Sequence, residues 1–150
     1  MHKTTRIFHL SIMGFWLLYF LITSITNFFD LFITLNWLDS NFLFASHNYS
    51  LIEAVFAEYA WLGWPAMICF FAIALAEAAL CFVFILAFKN YMMRGNDLKM
   101  AKIAITSSMM LWMALILGQE FFTIYQFSET AVRLMIAAIV SALGLYLIKD

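Results

Sequence analysis

The chain has 150 residues, of which 66% are hydrophobic and 11% charged, with a formal net charge of −1. A water-soluble domain is typically about 45–50% apolar and about 25% charged, so this chain carries more apolar surface than a core of its size can enclose, and the bilayer is its expected solvent. A net charge so near zero supplies no basic field for nucleic acid, and no such partner is expected.

The first predicted span runs from Ile7 to Phe29. Lys3 and Arg6 precede it as they would a signal peptide, but the apolar run is long and no small-residue cleavage site follows, so it reads as a retained span. The segment from Asp30 to Pro65 is the only long connection. It has no basic residue, carries Asp39, Glu53 and Glu58, and is too apolar for a free linker. Within it Ser50-Leu51-Ile52-Glu53 has the form of a capping box. A short helix from Leu51 to Tyr59 is expected there, lying on the membrane face. Trp37, Trp61 and Trp64 suit that interface, and Pro65 suits the first turn of the next span. Asn48-Tyr49-Ser50 matches a glycosylation acceptor.

The second span runs from Ala66 to Phe88, the third from Lys102 to Phe122 and the fourth from Ala131 to Ile148. Each is close to the ~20 residues that a helix needs to cross. Cys69 and Cys81 fall in one predicted helix about 18 Å apart along its axis, too far to bridge. Seven of the eight basic residues, namely Lys3, Arg6, Lys89, Arg94, Lys99, Lys102 and Lys149, fall on one side of this topology. The positive-inside rule makes that side cytoplasmic, with both termini on it. Small residues recur at four-residue spacing, as in Ala72–Ala76, Ala104–Ser108 and Ala138–Ala142. Such faces permit close helix approach. The expected fold is an all-α membrane protein: four transmembrane helices in an antiparallel bundle, forming one transmembrane domain over residues 1–150, with a short interfacial helix in the first non-cytoplasmic segment.

Two sets of polar residues stand inside these spans. Asn27 and Asp30 end the first, Gln119 and Glu120 end the third, and Arg133 opens the fourth. Topology gives all five a similar depth near the outer face. Arg133 is the only basic residue there, and pairing with Glu120, Asp30 or both is expected, since an unpaired charge at partial depth is costly. The cluster reads either as a polar clasp fixing helix register, or as a site for an anionic headgroup or a quinone-like carbonyl, or as the mouth of a proton path. The second set is Glu77 alone, near the middle of the second span. With no cation expected at its depth, it reads as a neutral carboxyl in an interhelical hydrogen bond, with Tyr19, Ser108 and Ser141 as candidate partners, or as a proton carrier in a small antiporter, or as a contact to a neighbouring subunit.

His2 and His9 are expected on the cytoplasmic side and His47 in the outer segment. Without a Glu-x-x-His spacing a carboxylate-bridged metal pair is not expected. No nucleophilic triad, phosphate loop or dinucleotide fingerprint is present, so neither a catalytic residue nor a cofactor is assigned. The pairs Met92-Met93 and Met109-Met110 read as packing.

Asn27-x-x-Asp30, Glu77, the run Gly118-Gln119-Glu120-Phe121-Phe122-Thr123-Ile124-Tyr125-Gln126 and Arg133 together resemble a bacterial family known only as predicted small integral membrane proteins of unknown function. The family tends to have Trp at the positions of Phe121 and Tyr125, and a second Gly at that of Gln119. The resemblance implies four spans, the outer polar cluster and a bacterial inner membrane; it implies no chemistry.

Three functions fit this reading. The first is a noncatalytic accessory or stabilising subunit of a larger membrane complex of respiratory or oxidoreductase type, with the lipid bilayer and other membrane subunits as its partners. The second is a small proton-coupled transporter using Glu77. The third is a lipid- or quinone-binding membrane enzyme using Asp30, Glu120 and Arg133.

Overall fold

The structure is a computed structural model that describes residues 3–59, 63–94, 97–122 and 128–148. His2, Trp61, Lys149 and the stretch 123–126 of the family-like motif lie outside the described residues. Every regular element described is helical: α1 Lys3–Thr34, α2 Asn48–Glu58, α3 Gly63–Arg94, α4 Lys99–Phe121 and α5 Ser128–Leu147. Helices α1, α3, α4 and α5 are each long and apolar enough to cross a membrane.

The helices overrun the expected spans, most of all in α1 and α3, which have 32 residues each. Asp30 is therefore inside α1 and does not follow it. Apolar content sets where a span is needed, whereas backbone chemistry sets where a helix stops. Helix α1 stops at Asn36, which takes the left-handed conformation with φ 58°. The Asn36 amide donates to the Ile33 carbonyl and the Trp37 amide to the Phe32 carbonyl, at 2.9 and 2.8 Å. This is a Schellman ending, in which two orphan carbonyls of the last turn are satisfied by the reversing chain. Its usual hydrophobic contact is present too, with the Phe32 and Trp37 rings stacked at 5.5 Å.

Burial along α1 follows steps of three and four residues: His9, Met13, Trp16 and Phe20, then Ser24, Asn27 and Asp30. Helix α3 repeats the pattern with Phe70, Ala74, Glu77, Cys81, Phe84 and Tyr91. Such steps keep one stripe of a helix facing inward. The buried polar residues His9, Ser24, Asn27 and Asp30 of α1 and Glu77 of α3 stand on that stripe.

The chain divides into two compact units, Met1–Leu18 with Leu80–Asp150, and Tyr19–Ala79. In the first, α4 packs on α5. Trp16 is fully buried; its indole Nε1 donates to Ser141 Oγ at 3.0 Å, and that hydroxyl donates to the Ala137 carbonyl at 2.8 Å. Trp16 also stacks on Phe84, with ring centroids 6.5 Å apart. Gly144 gives room to α1, since a Cβ there would come within 3.0 Å of the Phe8 ring. His9 adds a polar contact to this unit. It is buried on the inward stripe of α1, with Nδ1 3.0 Å from the Tyr91 hydroxyl. The second unit contains the end of α1, the 35–47 connection, α2 and the start of α3, and it holds the polar site.

Candidate functional site

Two carboxyl groups anchor the second unit. Asp30 is 4% exposed and Glu77 5%. A carboxyl so enclosed is costly unless donors surround it, and both have donors from this chain.

Asp30 supports the start of α2. Its Oδ2 accepts from the Tyr49 backbone amide at 2.8 Å and from Ser46 Oγ at 3.1 Å. The first amides of a helix have no partner within it, and its dipole is positive there. The residue at the N-cap position, His47, lies in the left-handed region at φ 56° and makes no side-chain cap. Asp30 fills that role from another helix. The expected capping box does not form. Helix α2 starts at Asn48, before Ser50. Ser50 Oγ donates to the His47 carbonyl at 2.9 Å, and Glu53 accepts from the Tyr49 hydroxyl at 3.3 Å. Once α2 begins three residues early, Ser50 is already inside its first turn and cannot cap it. Burial first, and the Glu53 charge second, push the Tyr49 phenol above its ordinary range, which keeps it a hydrogen-bond donor.

Glu77 is held by Asn27. Asn27 Nδ2 donates to Glu77 Oε2 at 2.6 Å, and Asn27 Oδ1 accepts from Asn48 Nδ2 at 3.0 Å. Asn48 in turn donates its backbone amide to Ser46 Oγ at 3.3 Å. The connection is held against α1 by the Ser46 amide, which donates to the Thr26 carbonyl at 3.1 Å. One hydrogen-bonded chain thus joins Asp30, Ser46, Asn48, Asn27 and Glu77. The side-chain nitrogen that glycosylation at Asn48 would modify is committed to Asn27.

These contacts redistribute the residues expected to matter. Asn27, expected in the outer cluster, is the partner of Glu77. Of the partners expected for Glu77, Tyr19 lies within its electrostatic reach. Ser108 instead donates to the Ala104 carbonyl, and Ser141 serves Trp16. Arg133 pairs with Glu129, one turn earlier on α5 and not with the expected Glu120, and both ends of this ion pair are well exposed. Because α5 starts at Ser128, it carries a carboxylate at the favourable i,i+4 spacing. Glu120 is exposed near the end of α4. The neighbouring Gln119 has an enclosed Oε1 without a hydrogen-bond partner among the described residues.

Sequence reasoning misses Ser46, Asn48 and Tyr49. The available signal is the stripe on α1: Asn27 and Asp30 share the inward face with Trp16 and Phe20, so both need donors nearby. The polar run from Ser46 to Ser50 is the nearest source in sequence.

A cavity of about 500 Å³ adjoins the network, lined in part by Asp30, Thr34, His47, Tyr49, Ser50 and Glu53. No group of three His, Cys, Asp or Glu side chains placed to hold a metal ion occurs among the described residues. In comparisons with protein-family models, curated proteins and solved structures, the chain matches none. What stands is the class: an all-helical protein with four helices able to span a membrane.

Proposed function

We propose that this chain is a noncatalytic integral membrane protein, an accessory or stabilising subunit of a larger membrane assembly. The observation that carries the reading is the use made of its carboxyl groups. Asp30 and Glu77 both accept hydrogen bonds from this chain's own donors. They tie α1 to the connection, to α2 and to α3, as a clasp does. A proton carrier needs a relay, and the donor hydrogen-bonded to Glu77 is the Asn27 amide, which donates without readily passing a proton on. Arg133, which an anion- or quinone-binding site would need, is engaged with Glu129.

The proposed topology is an antiparallel bundle in a bacterial inner membrane, with both termini cytoplasmic and α2 on the opposite face. Residues met in rising order on α1, His9 then Trp16, meet α3 in falling order, Tyr91 then Phe84. That order supports opposite directions for the two helices. The least enclosed span, α5, leaves Ile136, Val140 and Leu143 outward. Such a face suits lipid or a neighbouring subunit. A resemblance to the bacterial four-span family of unknown function is part of this proposal.

The test is gentle solubilisation of native membranes, size separation, and mass spectrometry of what migrates with the chain. Co-migration with a large complex is the expected result. Migration as a monomer or dimer alone would remove the accessory reading.

A further inference from the structure

The 35–47 connection does not lead away from the helices it joins. Helix α1 ends at Thr34, and the chain then runs back along it. The Trp37 ring stacks on Phe32, and Phe42 meets Phe29 at 4.9 Å. The Ser46 amide reaches the Thr26 carbonyl, about 12 Å back from Thr34 by helical rise. His47 then takes its left-handed conformation, and α2 leads back. Its Glu53 lines one cavity with Thr34 of α1 and with Met67, near the start of α3.

The clasp fixes the depth of this turn. Asn48 bonds to Asn27, and Asn27 to Glu77, so residues 46–48 stand level with Glu77. On α3 the exposed apolar residues Ile68, Phe71 and Leu75 all lie between Glu77 and the start of the helix. Ile68 is about 13 Å nearer to that start than Glu77 is. A helix able to span keeps such a stripe in hydrocarbon, so the turn lies well inside the stripe's outer end.

Exposure passes from α1 to the connection at the same depth. Ile22 and Ile25 are exposed on α1. The same stripe continues at Phe29 and Phe32, which are half-buried under Phe42 and Trp37. Outside them Trp37 is 70% exposed, Leu43 91% and Phe44 68%. Leu43 and Phe44 fall between Phe42 and Ser46, hence between the levels of Phe29 and Thr26. Irregular backbone is tolerated in a membrane where its polar groups are satisfied or face water. The amides of Trp37, Leu38, Phe42, Ala45 and Ser46 donate to carbonyls of the chain. Ser40, His47, Ser50 and Glu53 line the open cavity.

We infer that the connection and α2 form a re-entrant hairpin, with Trp37, Leu43 and Phe44 against the acyl chains of the bilayer and the opposite side facing water in the cleft. The inference rests on the bilayer placement of α1 and α3 and is independent of the accessory-subunit reading. It replaces a helix lying on the membrane face with one that begins beneath it. The first turn of α2 then stands where an unsatisfied amide is most costly, which accounts for a cap supplied by Asp30 from another helix.

The experiment uses the full chain with Cys69→Ala and Cys81→Ala, reconstituted in phosphatidylcholine vesicles. Nitroxide labels are placed singly at Trp37→Cys, Phe44→Cys, Ser50→Cys and Ile22→Cys, all exposed positions. Spin relaxation is measured with oxygen, which concentrates in lipid, and with a neutral nickel chelate, which stays in water. The expected result is an oxygen-to-nickel ratio at position 44 comparable to that at 22, a lower ratio at 37, and an excess of nickel at 50. Equal ratios at 37 and 44 would make the connection a flat interfacial loop and overturn the hairpin. An excess of nickel at 44 would put the loop in water, and shielding from both reagents would put a second copy of the chain over it; either overturns the assignment. An excess of oxygen at 50 would remove the water-facing side. An excess of nickel at 22 would instead show that α1 is not in the bilayer, and the hairpin would fall with that placement. Leu43→Cys repeats the measurement at the more exposed neighbour should Phe44→Cys fail to fold.

Discussion

Asn27 Nδ2 lies 2.6 Å from Glu77 Oε2, and each residue is at most 5% exposed. The pair joins α1 to α3 across 50 residues of sequence. Its oxygen is an acceptor, and an amide oxygen can serve equally. Glu77→Gln should therefore leave thermal stability in detergent almost unchanged. Asn27→Leu strands the buried carboxyl group and should cost about 1–3 kcal/mol. The double variant Asn27→Leu with Glu77→Leu should be milder than the two single losses added together, because neither partner is left behind. Strict additivity in that cycle would mean that the two residues are not coupled.

Asp30 caps a helix to which it does not belong. Asp30→Ala should cost about 0.5–2 kcal/mol, the range for a lost N-cap. The loss should appear as faster amide exchange in the first turn of α2. Asp30→Asn should leave that exchange nearly as slow as in the parent chain. Unchanged protection of Tyr49 in the alanine variant would refute the capping role.

Arg133 and Glu129 form an exposed i,i+4 pair. Exposed pairs of this kind contribute about 0.3–0.5 kcal/mol. Arg133→Ala should therefore shift the unfolding midpoint little, and any shift should shrink as salt rises. A loss of several kcal/mol would show that Arg133 has a buried partner after all.

The Tyr49 phenol titrates above its ordinary value of 10.0 in the folded protein, through burial and the nearby Glu53. A group raised in this way favours folding fully below its unfolded pKa. That contribution is lost as pH climbs from about 10 through the folded value. Stability should fall over this alkaline window, and Tyr49→Phe should flatten the fall. Equal slopes for the two proteins between pH 9 and 12 would remove Tyr49 as the cause.

The four long apolar helices were legible from composition alone, because apolar run length is a local property of the sequence. Their order and the position of Pro65 in the first turn of α3 were legible for the same reason. Helix ends were not. Asn36 ends α1 through its backbone conformation, and that residue is only one of several polar residues near the boundary. Side-chain partners were the least legible. A hydrogen bond requires agreement within a few tenths of an ångström, while one turn added to a helix moves its end by about 5.4 Å. The early start of α5 therefore put Glu129 one turn before Arg133, which pairs with it and not with Glu120. The partnership of Asn27 with Glu77 was half-written in the inward stripes of α1 and α3, which place both residues in the interior without saying that they meet.

Helix α2 has 11 residues, fewer than the ~12–15 below which an isolated helix is marginal in water. Its first turn relies on an acceptor belonging to α1. The segment 48–58 is therefore conditional on structure made earlier in the chain: as the polypeptide is synthesised, these residues have their cap waiting only if the end of α1 is already wound and the connection has doubled back. A probe of helicity placed on α2 would accordingly report on events at Asp30, eighteen or more residues upstream in sequence, and would register disturbance of the clasp before the long helices themselves come apart.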